Sequence, residues 1–165
     1  MFYKIKQWPR QIRQGIKSLI IWFPVIWKDR WWDHIFIYYI LRHKLHLMEH
    51  MIRHHGHHTR NIEDANKIKK CVLLLDRLIE DEYHENVFKN HYKKWGQPEM
   101  NWKDSTNFSG CTMLDIKYPL VKTEKDKENE TKQFRLKSKM EAAMREQDLD
   151  MLFTLMRKHI QTWWD

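Results

Sequence analysis

Apolar residues recur along this chain at three- and four-residue steps, the spacing of a helix face rather than the alternation of a strand. Proline is tolerated at a first helical position, so Pro9 predicts a helix from about Arg10 to Ile21. Ile12, Ile16, Leu19 and Ile20 share its face, and Pro24 should end or kink it. A second helix is predicted from Lys28 or Asp29 to His55. Its core stripe is Ile37, Tyr38, Leu41, Leu45, Met48 and Ile52, and Gly56 is its stop. A third opens at Asn61, a good N-cap, with Glu63 and Asp64 in the first turn. Ile68, Val72, Leu75 and Ile79 form its stripe, beside Ala65, Leu74 and Leu78; the pattern extends through Tyr83 and Phe88 to Trp95, where Gly96 and Pro98 end it. The short link between the second and third helices makes them antiparallel neighbours, an αα-hairpin.

Residues 96–122 lose this period. Met113, Leu114, Ile116, Leu120 and Val121 fit a short strand or a packed loop, and a long loop in a compact domain often contributes to a site. The charged run "KTEKDKENETKQ" (122–133) reads as a linker or as the exposed start of a fourth helix. Residues 134–146 are better helix. Asp148 or Asp150 can cap a last one, with Leu152, Phe153, Met156, Ile160 and Trp163 on its apolar face. The expected fold class is therefore all-α: a helical bundle on a central antiparallel αα-hairpin, with one irregular segment near 96–122.

Composition agrees: only four glycines and four prolines in 165 residues argue against a sandwich or barrel. The length suits a single domain over 1–165 that buries a core without staples. Cys71 and Cys111 form no framework and no C-x-x-C pair, so reduced thiols are expected, with Cys71 a small buried apolar side chain. Nine tryptophans exceed what such a core should bury, and the remainder favours a homo-oligomer interface.

Charge changes the picture most. Residues 1–60 hold eleven Lys or Arg against three Asp or Glu, the whole of the +8 excess, and eight of the eleven histidines. Such asymmetry points to an acidic partner: nucleotide, phosphate, nucleic acid or anionic membrane. Opposite charges brought near by the fold are the alternative. "SLIIWFPVIW" (18–27) is too short to span a bilayer, contains Pro24, and is followed by "KDRWWD" rather than a small-residue cleavage site. No transmembrane segment is expected; a membrane-surface role for the basic, apolar N-terminal part stays open.

Seven histidines fall within "RHKLHLMEHMIRHHGHHTR" (42–60). At about 100° per residue, His43, His46, His50 and His54 line a face nearly opposite the core stripe, with Tyr39 and Phe36 continuing it one and two turns earlier. Two chemistries compete there. His46, Glu49 and His50 spell H-x-x-E-H, in which the histidines grip zinc from one helix face and the glutamate acts as general base of a hydrolase. No third ligand is identifiable, and Arg42 and Arg53 on the flank would repel a cation. An anion fits more neighbours. Arg42, His46, His50, Arg53 and Arg60 present donors, Tyr39 and Phe36 can stack a base, and the helix start at Asn61 favours phosphate. The candidate ligand-binding residues are thus Tyr39, Arg42, His46, His50, Arg53 and Arg60, with no catalytic residue and no cofactor assigned. A histidine face that only meets solvent remains the plain alternative. No G-x-x-x-x-G-K-[ST] or G-x-G-x-x-G phosphate loop is present. Asp76, Glu80, Asp81 and Glu82 read as a surface patch pairing with Arg77 or lysines.

"WWDHIFIYYILRHKL", "DANKIKKCVLLLDRLIEDEY" and "FTLMRKHIQTWWD" resemble a group of small proteins of tailed bacteriophages. The resemblance covers residues 31–83 and 153–165, about half the chain, mostly at packing positions, and carries over no catalytic residue. It implies a helical protein in the cytoplasm of an infected bacterium. It also implies an inhibitor of host defence that sequesters a signalling nucleotide, such as a cyclic dinucleotide or an ADP-ribose compound, without catalysis. A nucleic-acid or host-protein interaction module is the other non-enzymatic expectation.

Overall fold

The computed structural model describes residues 3–28, 32–57, 59–104 and 110–163, with the side chains of 3–7 outside the description. Its elements are α1 (Tyr3–Ile26), α2 (Ile35–His55), α3 (Asn61–Glu80), α4 (Tyr83–Trp95), β1 (Glu99–Asp104), β2 (Thr112–Lys117), α5 (Glu124–His159) and a closing 3-10 turn (Ile160–Thr162). The protein is mostly helical, as expected, with one small antiparallel hairpin in the segment expected to be irregular. The chain forms two compact units, 1–79 with 152–165, and 80–151.

In the first unit α2 and α3 form the expected hairpin. Arg42 Nε donates to Asp76, Arg53 donates to Asn66 at 3.0 Å, and Gly56 meets Asn61 at the turn, a descending register that makes the helices antiparallel. Leu45, Ile52, Ala65, Ile68, Cys71, Leu74, Leu75 and Leu78 are buried, and Leu152 and Trp163 belong to the same unit's core. The α3 stripe is read correctly from the sequence. The α2 stripe is not complete: Ile37 is 64 % exposed, because only the C-terminal half of α2 is covered on that side. Phe153 and Ile160, expected on a core face, are exposed as well.

Two terminal signals act differently from their usual form. Gly56 ends α2 in an ordinary extended conformation (φ −70°, ψ 135°), not a left-handed one. Its need for glycine is space, since a Cβ there would lie 2.4 Å from the Ile52 carbonyl oxygen. Asn61 is the first residue of α3; its amide donates to the Gly56 carbonyl at 3.1 Å and its oxygen accepts the Ile62 N–H at 2.8 Å. It ties the turn together instead of capping the next turn of helix.

Both prolines sit inside α1, which starts at Tyr3 and ends two residues after Pro24. Each interior proline removes a hydrogen-bond donor and costs about 3 kcal/mol relative to alanine, so α1 does not owe its order to its own propensity. The face expected to enter a core is open: Ile12, Ile16, Leu19 and Ile20 are all more than half exposed. Asp29, Arg30 and Trp31, expected in the second helix, lie outside the described residues, as does Trp164.

The second unit pairs α4 against α5 residues 124–151. Arg145 donates to Asp81 at 2.6 Å, Tyr83 to Asp148 at 2.5 Å and the Trp95 indole to Gln133 at 2.9 Å, again a descending register. The single long helix expected over 61–95 is broken at Asp81, whose φ of 49° is a left-handed conformation that aspartate tolerates better than most residues. The charged run 122–133 supplies the first turns of α5. Thr123 Oγ1 accepts the Asp126 N–H at 3.1 Å, and Asp126 accepts from the Thr123 N–H at 3.1 Å, a reciprocal capping box. That hydrogen bonding holds the Asp126 carboxyl below its ordinary pKa. Asp148 caps nothing: it is buried inside a continuous helix as the acceptor for Tyr83. In the hairpin, Met100 faces Ile116 and Trp102 faces Leu114, which leaves one apolar face exposed.

His91 gives this unit a pH dependence. The ring is buried, its Nε2 lies 3.2 Å from Glu130 Oε1, and its Nδ1 has no hydrogen-bond partner among the described residues. Burial lowers its pKa from the ordinary 6.5, and the neighbouring Glu130 carboxylate offsets only part of that. The unfolded chain therefore takes up a proton that the folded chain resists. The stabilisation is complete above pH 6.5 and is lost as pH falls through the folded-state value. Urea midpoints of His91→Asn should accordingly vary less between pH 7 and pH 5 than those of the native chain; parallel profiles would contradict this.

Candidate functional site

The residues that gather around a cavity are those at the end of α1 and the start of α2. Pro24 brings α1 to a close two residues later, and Lys28 follows in the turn, its N–H donating to the Val25 carbonyl at 3.3 Å. At the start of α2, Asp33 Oδ1 accepts the Ile35 N–H at 2.9 Å and so fixes the first turn. From there Phe36, Tyr39, Arg42 and His43 fall on one side of the helix. With Pro24, Val25, Lys28 and Asp33 they line a cleft of about 420 Å³, within the size range of small-molecule sites.

The cleft is basic and aromatic. Lys28, Arg42 and His43 bring nitrogen donors, and Phe36 and Tyr39 bring ring faces. Asp33 is the one carboxylate among the described lining residues, and one of its oxygens is engaged in the helix start. Arg42 pairs through Nε with Asp76, which orients the guanidinium while its other nitrogens remain donors. His43 is half-buried against Trp22 of α1, with ring centroids 4.9 Å apart at 67°. Its Nε2 is shielded and has no hydrogen-bond partner among the described residues. A buried imidazole nitrogen without a partner carries a desolvation penalty that a ligand atom can relieve.

Of the six candidate ligand-binding residues, Tyr39 and Arg42 line this cleft, together with Phe36, which the sequence also marked as a stacking ring. The others do not converge on it. His46 and His50 are exposed on α2; the His50 ring lies against that of His54, centroids 4.7 Å apart. Arg53 is held by Glu49 at 2.5 Å, and Arg60 by Glu63 at 3.0 Å. The exposed Glu63 carboxyl, hydrogen-bonded by Arg60 and then by Lys67, is lowered to about 2. These two arginines are thus already partnered by their own neighbours in sequence. Tyr39 and Arg42, toward the N-terminal end of α2, thus meet at the cleft, whereas Arg53 and Arg60, on either side of Gly56, are taken up by local carboxylates.

The same ion pair bears on the zinc alternative. Glu49, the general base of the H-x-x-E-H reading, is bound to Arg53, and among the described residues no three His, Cys, Asp or Glu side chains come together as a metal site. Lys28 and His43 were not among the candidates. Lys28 lies in a connection rather than on the periodic face, although its place just after a helix-ending Pro24 was a usable signal. His43 belongs to the predicted histidine face, and its place in the cleft follows from its contact with Trp22.

A second polar cluster lies in the other unit. His84 stacks on Phe88 at 4.3 Å, with Nδ1 3.0 Å from Glu141 and Nε2 2.6 Å from the Tyr92 hydroxyl. A carboxylate, an imidazole and a hydroxyl in series is the arrangement of an activated nucleophile. Here burial and then Glu141 raise the Tyr92 pKa, the wrong direction for such a role, and Arg145 competes for Glu141 at 3.1 Å. The cluster ties α4 to α5.

Comparison with family models, with curated proteins and with solved structures finds no match for the chain. No described helix is long and apolar enough to cross a membrane.

Proposed function

We propose that this protein binds an anionic, nucleotide-type ligand in the cleft between the end of α1 and the start of α2, and holds it without turnover. One observation carries the reading: Lys28, Arg42 and His43 share a single cleft with Phe36 and Tyr39. Lysine and arginine there suit a phosphate, arginine by a planar fork and lysine as a point charge. The two aromatic rings suit the flat face of a base. In the setting that the phage resemblance implies, the ligand is a host signalling nucleotide, captured in the bacterial cytoplasm. Self-association belongs to the same proposal. The exposed hairpin face of Met100, Trp102, Leu114 and Ile116 supports it, and the mass of the protein in solution tests it.

The test is thermal unfolding of the full chain against a panel of cyclic mononucleotides, cyclic dinucleotides and ADP-ribose compounds. A ligand that binds only the folded state raises the midpoint, by about 2.7 kcal/mol in stability at a hundredfold excess over Kd. At least one member should raise it. A panel that leaves the midpoint unmoved at millimolar concentration contradicts the proposal.

A further inference from the structure

The cleft uses one side of α1 and leaves the other unexplained. At about 100° per residue, Trp8, Ile12, Ile16, Leu19, Phe23 and Ile26 fall within an arc of about 80°. Each is between 53 and 68 % exposed, so the stripe meets no described part of the protein. Isolated exposed apolar residues are ordinary, whereas a continuous stripe along about five turns marks an interaction surface. The charge beside it is one-sided. Arg10, Arg13 and Lys17 gather on one flank, about 100–160° from Ile12. No Asp or Glu occurs anywhere in residues 1–28.

We propose that α1 lies in the plane of an anionic lipid surface, its apolar stripe among the upper acyl chains and Arg10, Arg13 and Lys17 at the headgroups. Apolar stripe, tryptophan and a cationic flank are the elements of a helix that lies on a membrane rather than through it. The absence of carboxylates decides between occupants. Packing the stripe against the same stripe of a second copy would offer Arg10, Arg13 and Lys17 no partner, since that helix carries further cations and no carboxylate. Anionic headgroups neutralise them directly. The interior positions of Pro9 and Pro24 fit the same picture, because a surface that buries one face supplies order that the helix's own propensity does not. Neither the stripe nor these three cations line the cleft, so this surface stands or falls separately from ligand binding.

The experiment is flotation of the full-length protein with phosphatidylcholine vesicles, with and without roughly one-third phosphatidylserine. Each surface cation contributes roughly a fivefold factor, so the anionic vesicles should bind on the order of a hundredfold more tightly, less so in high salt. Leu19→Glu should abolish flotation. The double variant R13E/K17E should reduce binding on anionic vesicles to its level on neutral ones. Since both sites are exposed, circular dichroism should be unchanged. Failure to float with anionic vesicles overturns the proposal, and so does binding that ignores lipid charge and salt. A Leu19→Glu variant that changes the solution mass while floating normally would assign the stripe to a second copy instead. Flotation abolished by added duplex DNA, with DNA bound by R13E/K17E as weakly as vesicles are, would assign the flank to nucleic acid.

Discussion

Phe88→Ala should destabilise the α4–α5 unit by about 3–5 kcal/mol, the range for truncating a fully buried aromatic. Phe88 has no exposed surface. Its ring is stacked by His84 at 4.3 Å and met by Phe134 at 5.3 Å, His91 at 5.6 Å and Tyr92 at 5.7 Å. Each aromatic pair adds about 0.5–1.5 kcal/mol beyond area burial. Truncation also loosens the rings that shield His91 and align His84. Phe88→Leu, which keeps most of the volume, should lose roughly half as much. Denaturant unfolding followed by circular dichroism checks this, and hydrogen exchange in α4 and α5 locates it. A loss below about 1 kcal/mol for the alanine variant would mean that Phe88 is not the keystone of this core.

Gly96→Ala should be nearly as damaging, although it adds only a methyl group. Gly96 sits at φ 87°, ψ 168°, a region open essentially to glycine. Strain alone costs about 1–3 kcal/mol. A Cβ would also lie 2.6 Å from Pro119 Cγ, where a rigid ring has little room to retreat. Behind it the Leu120 N–H donates to the Trp95 carbonyl at 3.1 Å, so the chain after the hairpin is fastened to the end of α4 at this point. The variant should melt lower and lose protection at the Leu120 amide. Unchanged exchange there would show that the closure does not depend on glycine.

These two positions show what a sequence makes visible. The α3 stripe was legible because one helix face is buried along most of its length, so burial follows periodicity. The α1 stripe has the same periodicity and is exposed, since a period says that a face is apolar and not what covers it. The break at Asp81 was hidden because aspartate in a left-handed conformation leaves no composition signal. The start of α5 is one of the two readings that the charged run allows, and Thr123 and Asp126 have the spacing of the capping box that distinguishes it from a linker. The hairpin at 99–117 alternates over only a few residues, Met100 and Trp102 on one strand and Leu114 and Ile116 on the other, and its apolar face stays exposed, so the pattern is too short to set a strand apart from a packed loop.

The site divides along the same line. That Tyr39 and Arg42 are neighbours is legible because they share a helix face, which is local information. Lys28 and His43 join them through the placement of α1 against α2, and His43 matters because Trp22 shields it, a contact 21 positions away in sequence. Arg53 and Arg60 were overvalued because an arginine reads as free charge until its partner is known. Their partners, Glu49 and Glu63, stand four and three residues away, spacings at which helical side chains meet.

The central claim is that an anionic ligand sits in the α1–α2 cleft and not on the exposed histidine face. Isothermal titration with the stabilising member of the nucleotide panel tests it most directly, comparing the native chain with Lys28→Glu and with the double variant H46A/H50A. Lys28→Glu should weaken binding by at least about tenfold, a like charge replacing an attractive one at the phosphate, while H46A/H50A should bind as the native chain does. Native affinity in Lys28→Glu, or its loss in H46A/H50A, would contradict it.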